Sequence, residues 1–242
     1  MIIKRIKGLV RLLRTIEKQN AELLWAKTWD DTKNGIPWMD NLTSISPGRW
    51  AVGYNFIYVL TRILEEKQPG RILDIGLGIS STIISCYASY LNDKAMEHII
   101  VEQDKNWVNF YLKKHKLSPS SQILIMDLVE KPFFDGGVGT YHSYDKFAER
   151  IKGKQFSLIS IDGPWGSERH SRRDIVDFLP DLLEKDWVII MDDTERPGER
   201  ETIAEIESVL KMNAIEYHKG FYSGIKGCCV LASNDNKFLC SM

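Results

Sequence analysis

The chain has 242 residues, of which 43% are hydrophobic and 27% are charged. This length and composition fit a globular domain with a sizeable core, and they exclude a fibrous repeat or a wholly disordered chain. A formal net charge of −1 excludes a strongly basic nucleic-acid binder. The charge is unevenly distributed, because residues 1–18 carry a local +5 and leave −6 for the rest of a chain whose total is −1.

The N-terminal segment is predicted to be an amphipathic helix. Its apolar residues recur at spacings of four, three, four and three, at Ile2, Ile6, Leu9, Leu13 and Ile16. Its basic residues fall on the opposite face of such a helix. Two interpretations are open. The segment 1–18 makes peripheral contact with an anionic membrane surface, or its apolar face packs on the protein itself or on a second subunit of a homo-oligomer.

The next segments are a predicted loop over residues 30–49 and a predicted helix over residues 51–67, which ends before Pro69 and Gly70. We place a boundary here, with residues 1–45 as a helical extension and residues 46–242 as the main domain. Arg49 and Trp50 stand where they could contact a ligand, although a buried core position is the default for a tryptophan such as Trp50 or Trp38.

Strands and helices then alternate along the chain. Short apolar runs predict strands over 71–75, 98–102, 122–127, 156–162 and 187–193. Helical patterns are predicted over 79–91, 105–116, 171–184 and 199–212. Runs that are apolar throughout are typical of parallel strands covered on both faces, and residues 215–233 predict a final antiparallel hairpin. We therefore expect an α/β fold with a doubly wound, mostly parallel seven-stranded sheet and an antiparallel C-terminal hairpin.

Two features suggest the cellular setting and a mobile segment. Cys86, Cys228, Cys229 and Cys240 form no metal-binding pattern and no disulfide framework, so a cytoplasmic protein is expected. No apolar run is long enough for a membrane span. Three glycines within residues 134–147 predict a flexible lid after the third strand.

A glycine turn follows the first strand and opens a helix. Gly76 and Gly78 allow close approach of the backbone to a ligand, and the helix N-terminus offers unpaired N–H groups. A dinucleotide fingerprint would place Gly or Ala at position 81, where this chain has Ser81. The second strand ends in Glu102, which is placed to accept ribose hydroxyls, and the third ends in Asp127.

Three segments of the chain resemble the first three motifs of class I S-adenosylmethionine-dependent methyltransferases, in the order RILDIGLGISS, IIVEQD and ILIMD. The terminal hairpin resembles the end of that fold, and the resemblance covers residues 46–242. It implies S-adenosylmethionine as cofactor, with a nicotinamide cofactor as the alternative. The cofactor-binding residues that the resemblance implies are Asp74, Gly76, Gly78, Ser80, Glu102, Asp127 and Asp162.

Three carboxylates follow the fourth and fifth strands. Asp162, Asp192 and Asp193 converge if these strands are neighbours. Like charges at one place need compensation, either from Mg²⁺ or Ca²⁺ or from a nearby cation that leaves one carboxylate as general base. The layout resembles metal-dependent O-methyltransferases, except that Asp193 stands where that family has Asn.

The strand ends DGPWG and DDTERPGERE resemble, more loosely, glucuronoxylan O-methyltransferases, which methylate a sugar hydroxyl. Arg169, Arg172 and Arg173 suit the recognition of an acidic sugar. His170 is a further candidate base beside Asp162 and Asp192. We expect O-methylation of a sugar or polysaccharide hydroxyl. The alternatives are a catechol-like small molecule as acceptor, or a methyltransferase-like interaction module without catalysis.

Overall fold

A computed structural model describes residues 2–42, 45–48, 50–91, 93 and 95–241. The strands among these residues are, in chain order, β1 (Arg71–Ile75), β2 (Glu97–Glu102), β3 (Ser121–Ile125), β4 (Leu128–Pro132), β5 (Thr140–Tyr144), β6 (Phe156–Ile161), β7 (Leu183–Met191), β8 (His218–Tyr222) and β9 (Cys228–Ala232). The α-helices are α1 (Ile2–Lys33), α2 (Tyr54–Arg62), α3 (Ile79–Leu91), α4 (Lys105–Leu112), α5 (Phe147–Ile151) and α6 (Pro197–Met212).

Seven strands form the main sheet in the order β3-β2-β1-β6-β7-β9-β8. The pairs from β3 to β7 are parallel, whereas β9 runs antiparallel to both β7 and β8. The predicted seven-stranded, mostly parallel sheet with an antiparallel C-terminal hairpin is therefore confirmed. The strand order reverses between β1 and β6, and open α/β sheets bind ligands at such a reversal, outside the carboxyl ends of the strands.

Both faces of the sheet are covered because its central strands are apolar throughout. Helices α2 and α3 pack on one face, where Ile57 and Ile83 belong to the same buried cluster as Ile72. Helix α6 packs on the other face, where Ile206 contacts the cluster that contains Leu73. This alternation of neighbouring strand residues between two cores is the arrangement expected of a doubly wound sheet.

The predicted helix over residues 171–184 is wrong. Only a 3₁₀ turn, Val176–Phe178, forms there, and β7 already begins at Leu183. Pro180 lies inside the predicted helix, and a proline removes a backbone donor and clashes with the preceding turn. The predicted lid is partly regular structure, because β4 and β5 pair as an antiparallel hairpin whose tip carries the three glycines.

Helix α1 continues four residues into the predicted loop, and a 3₁₀ turn, Pro37–Asn41, follows it. Trp38 is buried in the core, as expected, but Trp50 is 91% exposed and the core assignment is wrong for it. Arg49 lies outside the described residues. Within the described part of the chain, no helix combines the length and apolar character that crossing a membrane requires.

Candidate functional site

The turn between β1 and α3 lies against the loop after β6. Gly76 has a φ of +105°, and a Cβ atom built on it would be 2.9 Å from the backbone nitrogen of Gly163. Only glycine combines this backbone conformation with such a close approach. A Cβ on Gly78 would meet nothing within 4 Å. The turn therefore presents open space beside Gly78, at the start of α3, where a helix N-terminus favours a polar ligand.

Asp74 and Ser80 lie beneath this turn rather than in the open space. Asp74 is fully buried, and its carboxylate accepts hydrogen bonds from the hydroxyls of Ser81 (2.5 Å), Ser160 (2.8 Å) and Ser80 (3.3 Å). Ser81 also accepts a hydrogen bond from the backbone N–H of Gly78, at 3.1 Å. These contacts assign Asp74, Ser80 and Ser81 to positioning of the glycine turn.

Glu102 reaches the same turn from the end of β2. One of its carboxylate oxygens accepts from the backbone N–H of Leu77 (3.0 Å), and the other accepts from the N–H groups of Gln103 (2.7 Å) and Asp104 (2.9 Å). Burial raises the pKa of the Glu102 carboxyl, and the three backbone hydrogen bonds oppose that shift. The structure thus brings Glu102 to Gly76–Gly78, as the predicted cofactor site requires.

Asp127 lies just beyond β3, on the same edge of the sheet. Its side chain is 78% exposed, and its nearest described cation is the Lys105 ammonium, at 3.9 Å. This carboxylate is free to meet a ligand at the outer end of the site, beyond Glu102.

The three predicted carboxylates do converge where β6 and β7 end. One oxygen from each of Asp162, Asp192 and Asp193 lies within 4.8 Å of the others. The side chains of Asp192 and Asp193 are 0% and 2% exposed, whereas that of Asp162 is 16% exposed. Of these three groups, Asp162 is the carboxylate that a substrate can reach.

Two buried cations lie among these carboxylates. The Arg172 guanidinium is 2.7 Å from Asp193 Oδ2 and 3.3 Å from Asp162 Oδ1. The Lys226 ammonium is 3.2 Å from Asp192 Oδ2 and 3.2 Å from Asp193 Oδ1. Arg172 and Asp193 also have positive φ values of 58° and 59°. Such conformations are costly for residues other than glycine, and they persist where the surrounding contacts hold them.

The electrostatics of this cluster follow from its burial. Desolvation raises the pKa of the Asp162 carboxyl to about 6, against the lowering effect of Arg172 and Lys226. Desolvation also raises the pKa of Asp192 well above its ordinary value, and the neighbouring Asp162 charge adds to that shift. Asp162 can therefore exchange a proton near neutral pH.

The residues present do not fit a divalent metal ion. The ammonium of Lys226 lies at ion-pair distance from Asp192 and Asp193, and the guanidinium of Arg172 lies at ion-pair distance from Asp162 and Asp193. A hard divalent ion needs these same oxygens as direct ligands, and it would be placed beside two fixed positive charges. The arrangement is the second one considered from the sequence, in which protein cations compensate the carboxylates.

His170 is not part of this cluster. It is buried, its Nδ1 is 2.7 Å from Glu205 Oε1, and its ring packs against Phe133, Phe134 and Tyr141. The prediction of His170 as a base is corrected on this geometry, because its contacts lie with the β4–β5 hairpin and α6.

The arginines expected to bind an acidic sugar are engaged within the protein. Arg169 forms ion pairs with Asp135 and Glu201, and Arg173 forms ion pairs with Asp177 and Glu205. Arg172 pairs with Asp162 and Asp193, so each of the three arginines is already bound to carboxylates of the protein. Their predicted role in recognition of an acidic substrate is therefore wrong.

Sequence reasoning missed Lys226, Ser81 and Tyr144. A signal for Lys226 was available, because an antiparallel strand beside β7 must begin where β7 ends, and Lys226 lies two residues before β9. Tyr144 is buried over the strand ends, and its hydroxyl donates to Gln103 Oε1 at 3.1 Å. Its position depends on the β4–β5 hairpin, which the glycine-rich sequence did not predict.

The sheet of this protein has the strand order and the antiparallel C-terminal hairpin of the class I S-adenosylmethionine-dependent methyltransferase fold, and its glycine turn follows β1 as in that fold. No protein-family model and no curated protein matches the chain. Among solved structures, the SAH-bound methyltransferase PaMTH1 of Podospora anserina has a TM-score of 0.48 and 15% identity, covering 95% of this chain and 96% of that chain. An O-methyltransferase of Bacillus cereus in complex with SAH has a TM-score of 0.47 and 12% identity, covering 84% and 90%.

The spermidine synthase of Thermotoga maritima has a TM-score of 0.44 and 18% identity, covering 74% of this chain and 59% of that chain. Likenesses of this strength carry no assignment of reaction or substrate. One fold hosts several chemistries, so function has to be argued from the side chains of the site.

Proposed function

We propose that this protein is an S-adenosylmethionine-dependent O-methyltransferase with Asp162 as its general base. One observation carries the proposal. The glycine turn beside Glu102 touches the backbone of the loop that bears Asp162, since a Cβ on Gly76 would lie 3.0 Å from the Asp162 carbonyl carbon. A cradle for the cofactor and an accessible carboxylate with a raised pKa therefore adjoin each other at the point where the strand order reverses.

Different residues at the strand ends suit different parts of S-adenosylmethionine. The open space beside Gly78 at the start of α3 suits the methionine part, Glu102 suits the ribose hydroxyls, and the exposed Asp127 suits the adenine edge. Asp74 and Ser80 act through the turn that they hold. Cofactor binding supplies a methyl group activated by a positively charged sulfur.

Methyl transfer is an in-line displacement, so the acceptor oxygen must be aligned and its proton removed. Asp162 accepts that proton while the bond between oxygen and the methyl carbon forms and the bond between sulfur and that carbon breaks. Arg172 and Lys226 hold the neighbouring carboxylates in place, and the Arg196 guanidinium adds a third positive charge 3.0 Å from Asp193 Oδ2. Proton removal in this scheme needs no divalent ion.

The proposed acceptor is a hydroxyl of a sugar. A cavity of about 230 Å³ opens between the β4–β5 hairpin and the segment after Arg172, and its lining includes Tyr144, whose hydroxyl donates to Gln103 Oε1 directly after β2. Its lining includes the aromatic ring of Tyr141, the carboxylate of Asp174 and the ammonium of Lys131. Apolar rings with a few polar groups are typical of small-molecule sites. The lining also holds Glu149 and Asp177, and Lys131 is the cation proposed to pair with the carboxylate of an acidic sugar.

Two measurements test the proposal in order. Isothermal titration with S-adenosylmethionine is expected to show one site, and the absence of binding would leave the alternative of a non-catalytic module. A methyl-transfer assay then compares a neutral hexose, a uronic acid, a uronic-acid polysaccharide and a catechol. The Lys131→Met variant should raise the KM for the uronic acid and not for the hexose, whereas Lys116→Met, a matched lysine outside the cavity, should change neither.

The cytoplasm is the proposed compartment. The four cysteines are free, and two of them, Cys228 and Cys229, are buried within β9. Burial raises the pKa of both thiols, so they act as small apolar side chains, which suits a reducing environment.

A further inference from the structure

The N-terminal half of α1 extends away from the rest of the protein. Every residue from Lys4 to Asn20 is exposed, and contacts with the body begin at Ala21. At 1.5 Å per residue this free segment is about 25 Å long. Its exposed apolar side chains include Ile6 (56%), Leu9 (57%) and Leu13 (57%). Packing of this apolar face on the described part of the same chain, one of the interpretations of the sequence, is therefore not observed.

Most apolar residues of this segment follow a heptad spacing, with the exposed Val10 and Leu12 on either side of that stripe. Spacings of three and four residues alternate through the series that we call the α1 seam, which consists of Ile6, Leu9, Leu13, Ile16, Asn20 and Leu23. Alternating spacings of three and four residues place these side chains in one stripe along the helix. In a coiled coil, such a stripe packs against the matching stripe of a second helix. Asn20 falls at the position in the heptad where a single polar residue sets register and helix number at some loss of stability.

Five of the six basic residues stay away from the α1 seam, and only Arg5, four residues before Leu9, lies beside it. Lys4, Lys7, Arg11, Arg14 and Lys18 lie on the opposite side of the helix. Pairing of two such seams would therefore leave the like charges on the outer surfaces, where they are solvated and far apart.

The body of the protein lies on the same side of α1 as these basic residues. Trp25 Nε1 donates to the backbone oxygen of Ser223 at 2.7 Å, and Glu22 Oε1 accepts from the backbone N–H of Tyr54 at 2.7 Å. Both residues share a helix face with Arg11 and Lys18, at spacings of three, four and seven residues. The α1 seam consequently points away from the body, and no described residue obstructs a partner helix.

We propose that the α1 seam pairs with the α1 seam of a second copy of this chain as a coiled coil. Two observations favour a second copy over a lipid surface. The three-four spacing extends from Ile6 to Leu23, and an interfacial helix has no need for a heptad register. Asn20 lies within the stripe between Ile16 and Leu23, where hydrocarbon offers its amide no partner, whereas in a pair of helices the two Asn20 amides can bond to each other.

Sedimentation velocity of the full chain tests this pairing. The wild type is expected to sediment at twice the 27.9 kDa of one chain, and Leu13→Asp should reduce that mass to the monomer value. Thr15→Asp introduces the same charge on the opposite face of α1 and should leave the dimer intact. Circular dichroism and titration with S-adenosylmethionine, measured on each variant, should match the wild type, which separates this proposal from that of the methyltransferase activity.

Asn20→Leu gives a second, diagnostic readout. A coiled coil should dissociate less readily in this variant and should populate more than one oligomeric size, because the polar group that selects helix number is gone. A wild-type protein that stays monomeric at all concentrations tested would overturn the proposal. A dimer that persists in the Leu13→Asp variant would also overturn it. Monomers that co-sediment with phosphatidylcholine vesicles containing phosphatidylserine would assign the seam to a membrane instead.

Discussion

At the scale of single residues, Asp162 differs from the other carboxylates of the cluster in its access to solvent. Its side chain is 16% exposed, against 0% for Asp192. We expect Asp162→Asn to lower kcat about 10²–10⁴-fold, the usual contribution of a general base, while the affinity for S-adenosylmethionine is unchanged. Steady-state kinetics and calorimetry check this. Asp181→Asn, at an exposed aspartate before β7, is the matched control, and equal losses in both variants would contradict the role of Asp162.

The raised pKa of Asp162 predicts a pH profile. Since burial raises this pKa from 3.8 to about 6, methyl transfer should decline as the pH falls through about 6, where the base becomes protonated. Folding stability should change in the opposite sense. A carboxyl whose pKa is higher in the folded state than in the unfolded state loses stabilisation as the pH rises between about 4 and about 6. Initial rates measure the first effect and thermal unfolding measures the second across this pH range. A rate of methyl transfer that does not change down to pH 4 would exclude Asp162 as the general base.

The cations of the cluster predict the response to metal. Chelators should leave wild-type activity unchanged, because Lys226 and Arg172 already compensate the carboxylates. Lys226→Met removes one cation and should increase the affinity for Mn²⁺, measured by electron paramagnetic resonance of the free ion. Lys219→Met, which removes an ion-paired lysine elsewhere on the hairpin, should bind no more Mn²⁺ than the wild type. Loss of wild-type activity with a chelator, and its return with Mg²⁺, would restore the metal interpretation.

At the scale of elements, α3 is attached to β1 through Ser81. Its hydroxyl joins the Asp74 carboxylate to the backbone N–H of Gly78, and the side chains of Ser81 and Asp74 are fully buried. Ser81→Ala should therefore cost about 1–3 kcal/mol of unfolding free energy and weaken binding of S-adenosylmethionine, because the glycine turn loses its support. Urea denaturation and calorimetry measure the two effects. Ser89→Ala, at an exposed position of the same helix, should change neither.

Elements with a strong repeating pattern were predictable from the sequence. Strand β1 and helix α3 have the predicted limits, because an apolar run before glycines and a uniform helical pattern leave little competition between structures. The segment 171–184 looked helical by periodicity, yet ion pairs of Arg172 and Arg173 and the presence of Pro180 hold it in turns. The β4–β5 hairpin depends on pairing between distant residues, which local patterns do not report.

The candidate site divides in the same way. Glu102 and the three aspartates were predictable because parallel strands bring their carboxyl ends to one edge. The role of Arg172 was not, since a positive φ and contacts from two loops place its guanidinium among the carboxylates. His170 was misassigned because residue type suggests a base, whereas burial beside Glu205 decides its surroundings.

At the scale of the whole molecule, the N-terminal segment and the main domain share one core. Trp29 and Trp38 belong to the same buried cluster as Leu60 and Val188. The division of the chain at residues 45 and 46 stays a prediction, but the second half of α1 packs as part of the domain. Only the first half, which carries most of the α1 seam, extends beyond it.

This packing couples α1 to the candidate site through Glu22. Its carboxylate accepts from the backbone N–H groups of Tyr54 and Ile225, and Ile225 adjoins Lys226 in the loop before β9. Glu22→Ala removes both charge-assisted hydrogen bonds, which should cost about 1.5–3 kcal/mol and lower the melting temperature by about 3–12 °C. The loop that carries Lys226 is then less constrained, so kcat should fall while the affinity for S-adenosylmethionine is retained. Glu17→Ala, in the exposed half of α1, is the control for both calorimetry and kinetics. If Glu22→Ala lowers the melting temperature without lowering kcat, then α1 stabilises the domain and does not affect the position of Lys226.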